Sequence, residues 1–231
     1  MNNKKIVIIE DEPDILEVLS YNLKREGFEV FTAINGTLGL SVIEKELPDL
    51  VLLDLMLPGM DGIEICSTIK KNPVTQKILI IMVTAKGEES DIVLGLGVGA
   101  DDYISKPFSP KELVARAKAV LRRGTLIENT SQSDKVEVGH LVIDSSKFEV
   151  IIKGREVRLT ATEFRLLHYL ASNPGRVFSR EQLLSRAMGD DVVVVDRNID
   201  VHIRGIRKKM EIEPPLIETI RGVGYRLRDT T

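Results

Sequence analysis

The chain has 231 residues, of which 43% are hydrophobic and 29% charged, with a formal net charge of -3 and one cysteine. That length suits two ordinary domains rather than one small one, and the composition is that of a globular protein. Apolar runs stop at about six residues, far short of a membrane span of roughly 18 to 20, and the Met1-Asn2-Asn3-Lys4-Lys5 start leads into a strand rather than a signal-peptide core, so a cytoplasmic protein without membrane contact is expected.

The first element is the apolar run Ile6-Val7-Ile8-Ile9, which ends in Glu10-Asp11-Glu12. Asp14 to Glu26 follows, with Ile15, Val18, Leu19 and Leu23 on one stripe, the period of a helix with one buried face. A second helix is predicted over Thr37 to Glu46, then a strand, Leu50-Val51-Leu52-Leu53, closed by Asp54 ahead of Leu55-Met56-Leu57-Pro58-Gly59-Met60-Asp61-Gly62. Ile63 to Lys71 reads as a helix carrying Cys66, for which core packing is a simpler explanation than reactivity. Ile78 to Val83 is a strand ending in Thr84-Ala85. Glu88 to Val98 is a helix weakened by Gly95 and Gly97, each costing about 1 kcal/mol against alanine. Asp102-Tyr103-Ile104 is a strand ending in Ser105-Lys106-Pro107, and Ser109-Pro110-Lys111-Glu112 is a capping signal that opens a last helix to Arg122. Residues 1–123 thus follow a (βα)5 order, an α/β doubly wound parallel sheet of flavodoxin-like type.

Residues 124–135 lose periodicity and are polar, which predicts a linker. Over 136–231 the pattern changes. Val136 to Leu159 reads as an antiparallel meander broken at Gly139, Asp144-Ser145-Ser146 and Gly154. Thr160-Ala161-Thr162-Glu163 and Ser179-Arg180-Glu181-Gln182 are capping boxes that open two helices. A third helix is predicted from about Val195 to Met210, and Leu216 to Leu227, with Gly222 and Gly224 inside, reads as a closing hairpin. His140, His168 and His202 lack Cys or acidic partners at metal-ligand spacing, so no zinc site is expected.

Four strands of the first half deliver acids, a hydroxyl and a lysine to one edge of the sheet, the edge where ligands of open parallel sheets sit. Glu10, Asp11 and Asp54 brought together repel unless a cation neutralises them, and hard carboxylate oxygens suit Mg²⁺. Lys106 supplies a second cation. Asp54 is then a plausible nucleophile toward phosphorus, with Thr84 and Lys106 binding the oxygens of an acyl phosphate. Mg²⁺-dependent phosphohydrolases need a second acid two residues after the nucleophile, and Met56 stands there. No enzyme is expected beyond slow self-phosphorylation and self-dephosphorylation.

These residues, with Pro58, Gly62 and Pro107, resemble the receiver domain of two-component response regulators. The resemblance implies that Asp54 accepts a phosphoryl group from a sensor histidine kinase, that Asp11, Asp54 and the Met56 carbonyl bind Mg²⁺ with Glu10 assisting, and that Thr84 and Tyr103 switch on phosphorylation. It also implies a homodimer of phosphorylated chains through a face that includes Ile92, Leu96, Asp102, Glu112 and Arg116. Glu112 matches an acid whose usual arginine is replaced here by Ile92. A regulator whose receiver dimerises without phosphate is the alternative, against which the intact Asp54, Thr84 and Lys106 argue.

Residues 125–231 hold 17 Lys+Arg against 16 Asp+Glu, so nucleic-acid binding must be argued from where the bases cluster. They cluster on the third helix, where Arg197, Asn198, His202, Arg204, Arg207 and Lys208 interleave with Ile199, Ile203 and Ile206. A capped helix, a turn and this helix are helix-turn-helix grammar, and Thr219-Ile220-Arg221-Gly222-Val223-Gly224-Tyr225-Arg226 is a hairpin able to reach along a groove. With the receiver, this tail resembles the winged-helix output domain of the OmpR/PhoB subfamily, and looks closest to its phosphate-regulon branch. The resemblance implies double-stranded DNA as partner, the third helix in the major groove, Arg221 in the minor groove with Thr219 beside it, and two subunits on a direct repeat. Where that branch carries a base-reaching arginine, this chain has Gly205. The loop from Gly189 to Val195 is a candidate RNA polymerase contact, with a plain acidic turn as the simpler reading.

Overall fold

The computed structural model describes residues 4–85, 95, 98–126, 135–188, 198–211 and 215–229, and they form two compact units, Met1–Leu121 and Arg122–Thr231. In the first, strands β1 (Lys5–Ile9), β2 (Glu29–Ala33), β3 (Leu50–Asp54), β4 (Leu79–Ala85) and β5 (Asp102–Lys106) pair in the order β2-β1-β3-β4-β5, all in parallel. Every residue of β3 is buried, as expected of a central strand covered on both faces. Ile9 pairs with Leu53 and Asp54 with Val83, while Ala85 pairs with Lys106, so that registry alone brings the carboxyl ends of β1, β3 and β5 together.

Helices α1 (Pro13–Arg25), α2 (Gly36–Glu46), α3 (Gly62–Lys71) and α4 (Pro110–Leu126) accompany the sheet. On α1 the core is reached by Leu19, Ser20 and Leu23, whereas Val18, predicted on the buried stripe, is 45% exposed because it lies on the flank of the helix. The Ser109 cap forms, its Oγ accepting from the Glu112 amide at 3.1 Å. The helix it opens runs to Leu126, so 124–126, read as linker, continue α4. Most of the predicted Glu88 to Val98 helix lies outside the described residues. Gly95 within it is explained by packing: a Cβ there would lie 2.3 Å from Met82 Sδ.

The second unit opens with an antiparallel sheet of β6 (Lys135–Val138), β7 (Leu141–Asp144), β8 (Glu149–Ile152) and β9 (Arg155–Glu156). It continues through α5 (Ala161–Ala171), β10 (Phe178–Ser179), α6 (Arg180–Met188), α7 (Asn198–Met210), β11 (Ile217–Ile220) and β12 (Gly224–Leu227), with β12 paired between β10 and β11. Both capping boxes form. Glu163 Oε2 accepts from the Thr160 amide at 2.8 Å, and Gln182 Oε1 from the Ser179 amide at 2.9 Å, with the reciprocal hydroxyl bonds present. Phe164, Leu167, Phe178, Ile203, Ile206 and Leu227 centre its core.

Candidate functional site

At the carboxyl edge of the parallel sheet, Glu10, Asp11 and Asp54 each offer a carboxylate oxygen within 4.8 Å of the others. Glu10 and Asp54 are buried, and Lys106 donates to Asp54 Oδ2 at 2.7 Å and to Glu10 Oε1 at 3.0 Å. The other Asp54 oxygen accepts from the Met56 amide at 2.9 Å, while the Met56 side chain is exposed. Burial, reinforced by the Asp54 charge and opposed by Lys106, lifts Glu10 to about 7. Burial alone would lower Lys106, but its bonds to Asp54 and Glu10 outweigh that and hold it above the ordinary lysine range.

A divalent cation fits this donor set. Glu10 Oε2 is buried without a hydrogen-bond partner, and three hard oxygen ligands lie within 4.8 Å of one another. Sequence reasoning missed one member: Glu12 lies 3.2 Å from Lys106, so that Lys106 meets three carboxylates. Its only signal was its place in Glu10-Asp11-Glu12. Thr84 is buried and Tyr103 half-buried on neighbouring strands, and burial raises the Tyr103 hydroxyl pKa. Asp102 and Glu112 both meet Arg116, at 3.4 and 3.3 Å. Ile92 and Leu96 lie outside the described residues. Cys66 is fully buried and its thiol pushed up to about 12, as inert as packing predicts.

On the second unit, Arg204 and Lys208 stand one turn apart on an exposed face of α7, and Thr219 and Arg221 are exposed on the hairpin, where Gly222 takes a φ of 73° to close the turn. His202, predicted among the DNA contacts, is corrected: it is 2% exposed, because it shares the packing side of α7 with Ile199, Ile203 and Ile206. Arg207 is already engaged, donating to the Ile217 carbonyl at 2.7 and 3.0 Å and to Thr219 Oγ1 at 2.8 Å. Position 205 points toward α5, since a Cβ there would lie 2.5 Å from Glu163 Oε1, so the glycine serves helix packing. Asn198 opens α7, and Arg197 lies outside the described residues.

Residues 6–118 match the model of the response regulator receiver domain, and residues 154–227 that of the C-terminal domain of transcriptional regulatory proteins. The chain is 47% identical over 225 residues to a phosphate regulon transcriptional regulatory protein PhoB of Rhizobium meliloti (strain 1021), covering 96% of this chain and 98% of that one. It is 44% identical to the alkaline phosphatase synthesis transcriptional regulatory protein PhoP of Bacillus subtilis (strain 168), with 98% of each covered. Among solved structures it resembles response regulator DrrB, an OmpR/PhoB homolog of Thermotoga maritima, at 35% identity and a TM-score of 0.51, over 98% of this chain and 99% of that one. The chain belongs to the OmpR/PhoB family of response regulators. It is a phosphorylation-dependent, DNA-binding transcriptional regulator rather than a catalyst, with a sensor kinase as partner. Among the described residues, no helix is long and apolar enough to cross a membrane.

Proposed function

We propose that Asp54 is the phosphoacceptor, and that its acyl phosphate brings two copies of this chain onto direct-repeat DNA. The observation that carries this reading is the Asp54 carboxylate held at 2.7 Å by Lys106 inside the Glu10–Asp11–Asp54 cluster. The phosphoryl group leaves the imidazole nitrogen of a kinase phosphohistidine as an Asp54 oxygen bonds to phosphorus. Water later attacks phosphorus and releases inorganic phosphate slowly. Asp11, Asp54, the Met56 carbonyl and Glu10 would hold Mg²⁺, which supplies charge neutralisation for the phosphoryl oxygens. Lys106 exchanges its bonds to Glu10 and Glu12 for the new anion. Thr84 follows with its hydroxyl, and Tyr103 moves into the space this opens.

Asp102, Glu112 and Arg116 then contribute to a homodimer face with Ile92 and Leu96. Arg204 and Lys208 meet the duplex through the major groove, with Arg197 and Asn198 beside them, and Arg221 enters the minor groove next to Thr219. The names of the relatives support phosphate-responsive target genes, and the site of action is the cytoplasm. Incubation with acetyl phosphate and Mg²⁺ tests the reading: wild type gains a phosphoryl group, dimerises in sedimentation and binds DNA more tightly, and Asp54→Ala does none of these. Constitutive DNA binding by Asp54→Ala would instead favour control without phosphate.

A further inference from the structure

A cluster around Tyr225 has no part in the contacts assigned above. Its hydroxyl donates to Asp200 Oδ1 at 2.8 Å, and Arg180 donates Nε to the same oxygen at 2.8 Å and a terminal nitrogen to Oδ2 at 3.3 Å. Two guanidiniums approach the buried Tyr225 ring, Arg180 at 5.2 Å and Arg207 at 5.6 Å from its centroid. Arg207 also grips the Ile217 carbonyl and the Thr219 hydroxyl. The cluster therefore joins the first residue of α6, two turns of α7 and both strands of the hairpin.

The strands of that hairpin have four residues each, and beyond it β12 pairs only with the two residues of β10, so backbone pairing alone holds the direction of the tip loosely. The tip carries exposed Arg221, and α7 carries exposed Arg204 and Lys208. These can reach one duplex together only if hairpin and helix keep a fixed separation. We propose that Tyr225, Asp200 and Arg180 are positioning residues for DNA recognition: without touching DNA, they lock the hairpin against α7 at the distance that operator binding requires. The proposal rests on the DNA-facing reading of α7 and the hairpin tip. Its signature differs from that of a phosphate contact. A loosened hairpin weakens specific binding, while non-specific affinity and its salt slope, set by the number of phosphates neutralised, stay the same.

The test uses the full phosphorylated chain, a duplex selected by wild type from random-sequence DNA, and an unselected duplex of equal length. Tyr225→Phe removes one oxygen and keeps the ring. It should bind the selected duplex about three- to tenfold more weakly, bind the unselected one as wild type does with the same salt slope, and lose hydroxyl-radical protection in the minor groove. Asp200→Asn, at a half-exposed position that tolerates change, should reproduce the pattern, and adding it to Tyr225→Phe should add little. Wild-type affinity for the selected duplex in both variants overturns the proposal, as does equal weakening on the two duplexes. Arg204→Ala separates the layers. If it weakens binding while Tyr225→Phe does not, the positioning role alone fails; if Arg204→Ala also changes nothing, the DNA-facing reading fails and takes the proposal with it.

Discussion

Two lysine–aspartate pairs sit at opposite edges of the receiver sheet. At the amino edge, Lys70 lies 3.0 Å from Asp101 with side-chain exposures of 3% and 0%. Lys70 also donates to the Ile78 carbonyl at 2.7 Å, and Asp101 accepts from the Ile80 amide at 3.0 Å, so among the described contacts one cation meets one anion and backbone groups join the shell. At the carboxyl edge, among the described residues, Lys106 faces the three carboxylates of Glu10, Glu12 and Asp54, and Glu10 Oε2 is left with no partner. Burial and an ion pair are common to both. What separates a pin from a reactive site is the balance of charge: the matched pair has nothing to gain from a ligand, whereas the acid-rich one does.

Breaking the matched pair should have the largest effect. Asp101→Ala leaves a buried ammonium and should cost about 3 to 5 kcal/mol in urea unfolding, most of it recovered by Lys70→Met with Asp101→Asn, which keeps an acceptor for Ile80. An Asp101→Ala variant as stable as wild type would erase the contrast. The acid-rich site predicts a pH slope instead. Glu10 rises from 4.5 to about 7, chiefly by burial, so the metal-free folded chain holds a proton there that the unfolded chain has released. The resulting stability is fully present below about pH 4.5 and lost as pH rises through about 7, on the order of 2 kcal/mol. Thermal unfolding across that range should show the slope in wild type and lose it in Glu10→Gln, while Glu12→Gln, at a mostly exposed position, leaves it in place.

The acid-rich site was legible in the sequence because each member ends an apolar strand, and parallel registry does the rest. Lys70 was not legible: within Ile63 to Lys71 it looks like any last-turn lysine, and its partner Asp101 is 31 residues away with no pattern to join them. On α7 the same limit applies to one residue only. Helical period separates Ile199, Ile203 and Ile206 from Arg204 and Lys208, and it also puts His202, three residues after Ile199 and four before Ile206, on the packing side; what it cannot say is that Arg207 turns to the hairpin. Tyr225 within the hairpin and Asp200 within the third helix carry no signal of their pairing, since their contact spans 25 residues.

Gly205 and Glu163 extend the comparison to the second unit. Glu163 is another buried acid, but a matched one, with Lys209 at 2.5 Å and the Thr160 amide at 2.8 Å on Oε2. Gly205→Ala drives a methyl toward its other oxygen and should cost about 1 to 3 kcal/mol in thermal unfolding of this unit. Restoring an arginine at 205 should not add affinity for DNA, because the side chain would have to displace that carboxylate before reaching a groove.

The smallest effect is expected on α4, where Arg116 divides itself between Asp102 at 3.4 Å and Glu112 at 3.3 Å. Asp102 is buried and Glu112 largely exposed, so the two halves of this contact are unequal. Glu112→Gln removes only a helical i,i+4 pair and should change monomer stability by about 0.3 to 0.5 kcal/mol. If Glu112 serves the face between copies, the dissociation constant of the phosphorylated dimer rises more than that pair accounts for, as sedimentation can measure. A change confined to monomer stability would make Glu112 a surface charge matched within its own chain and leave it no part in a face between copies.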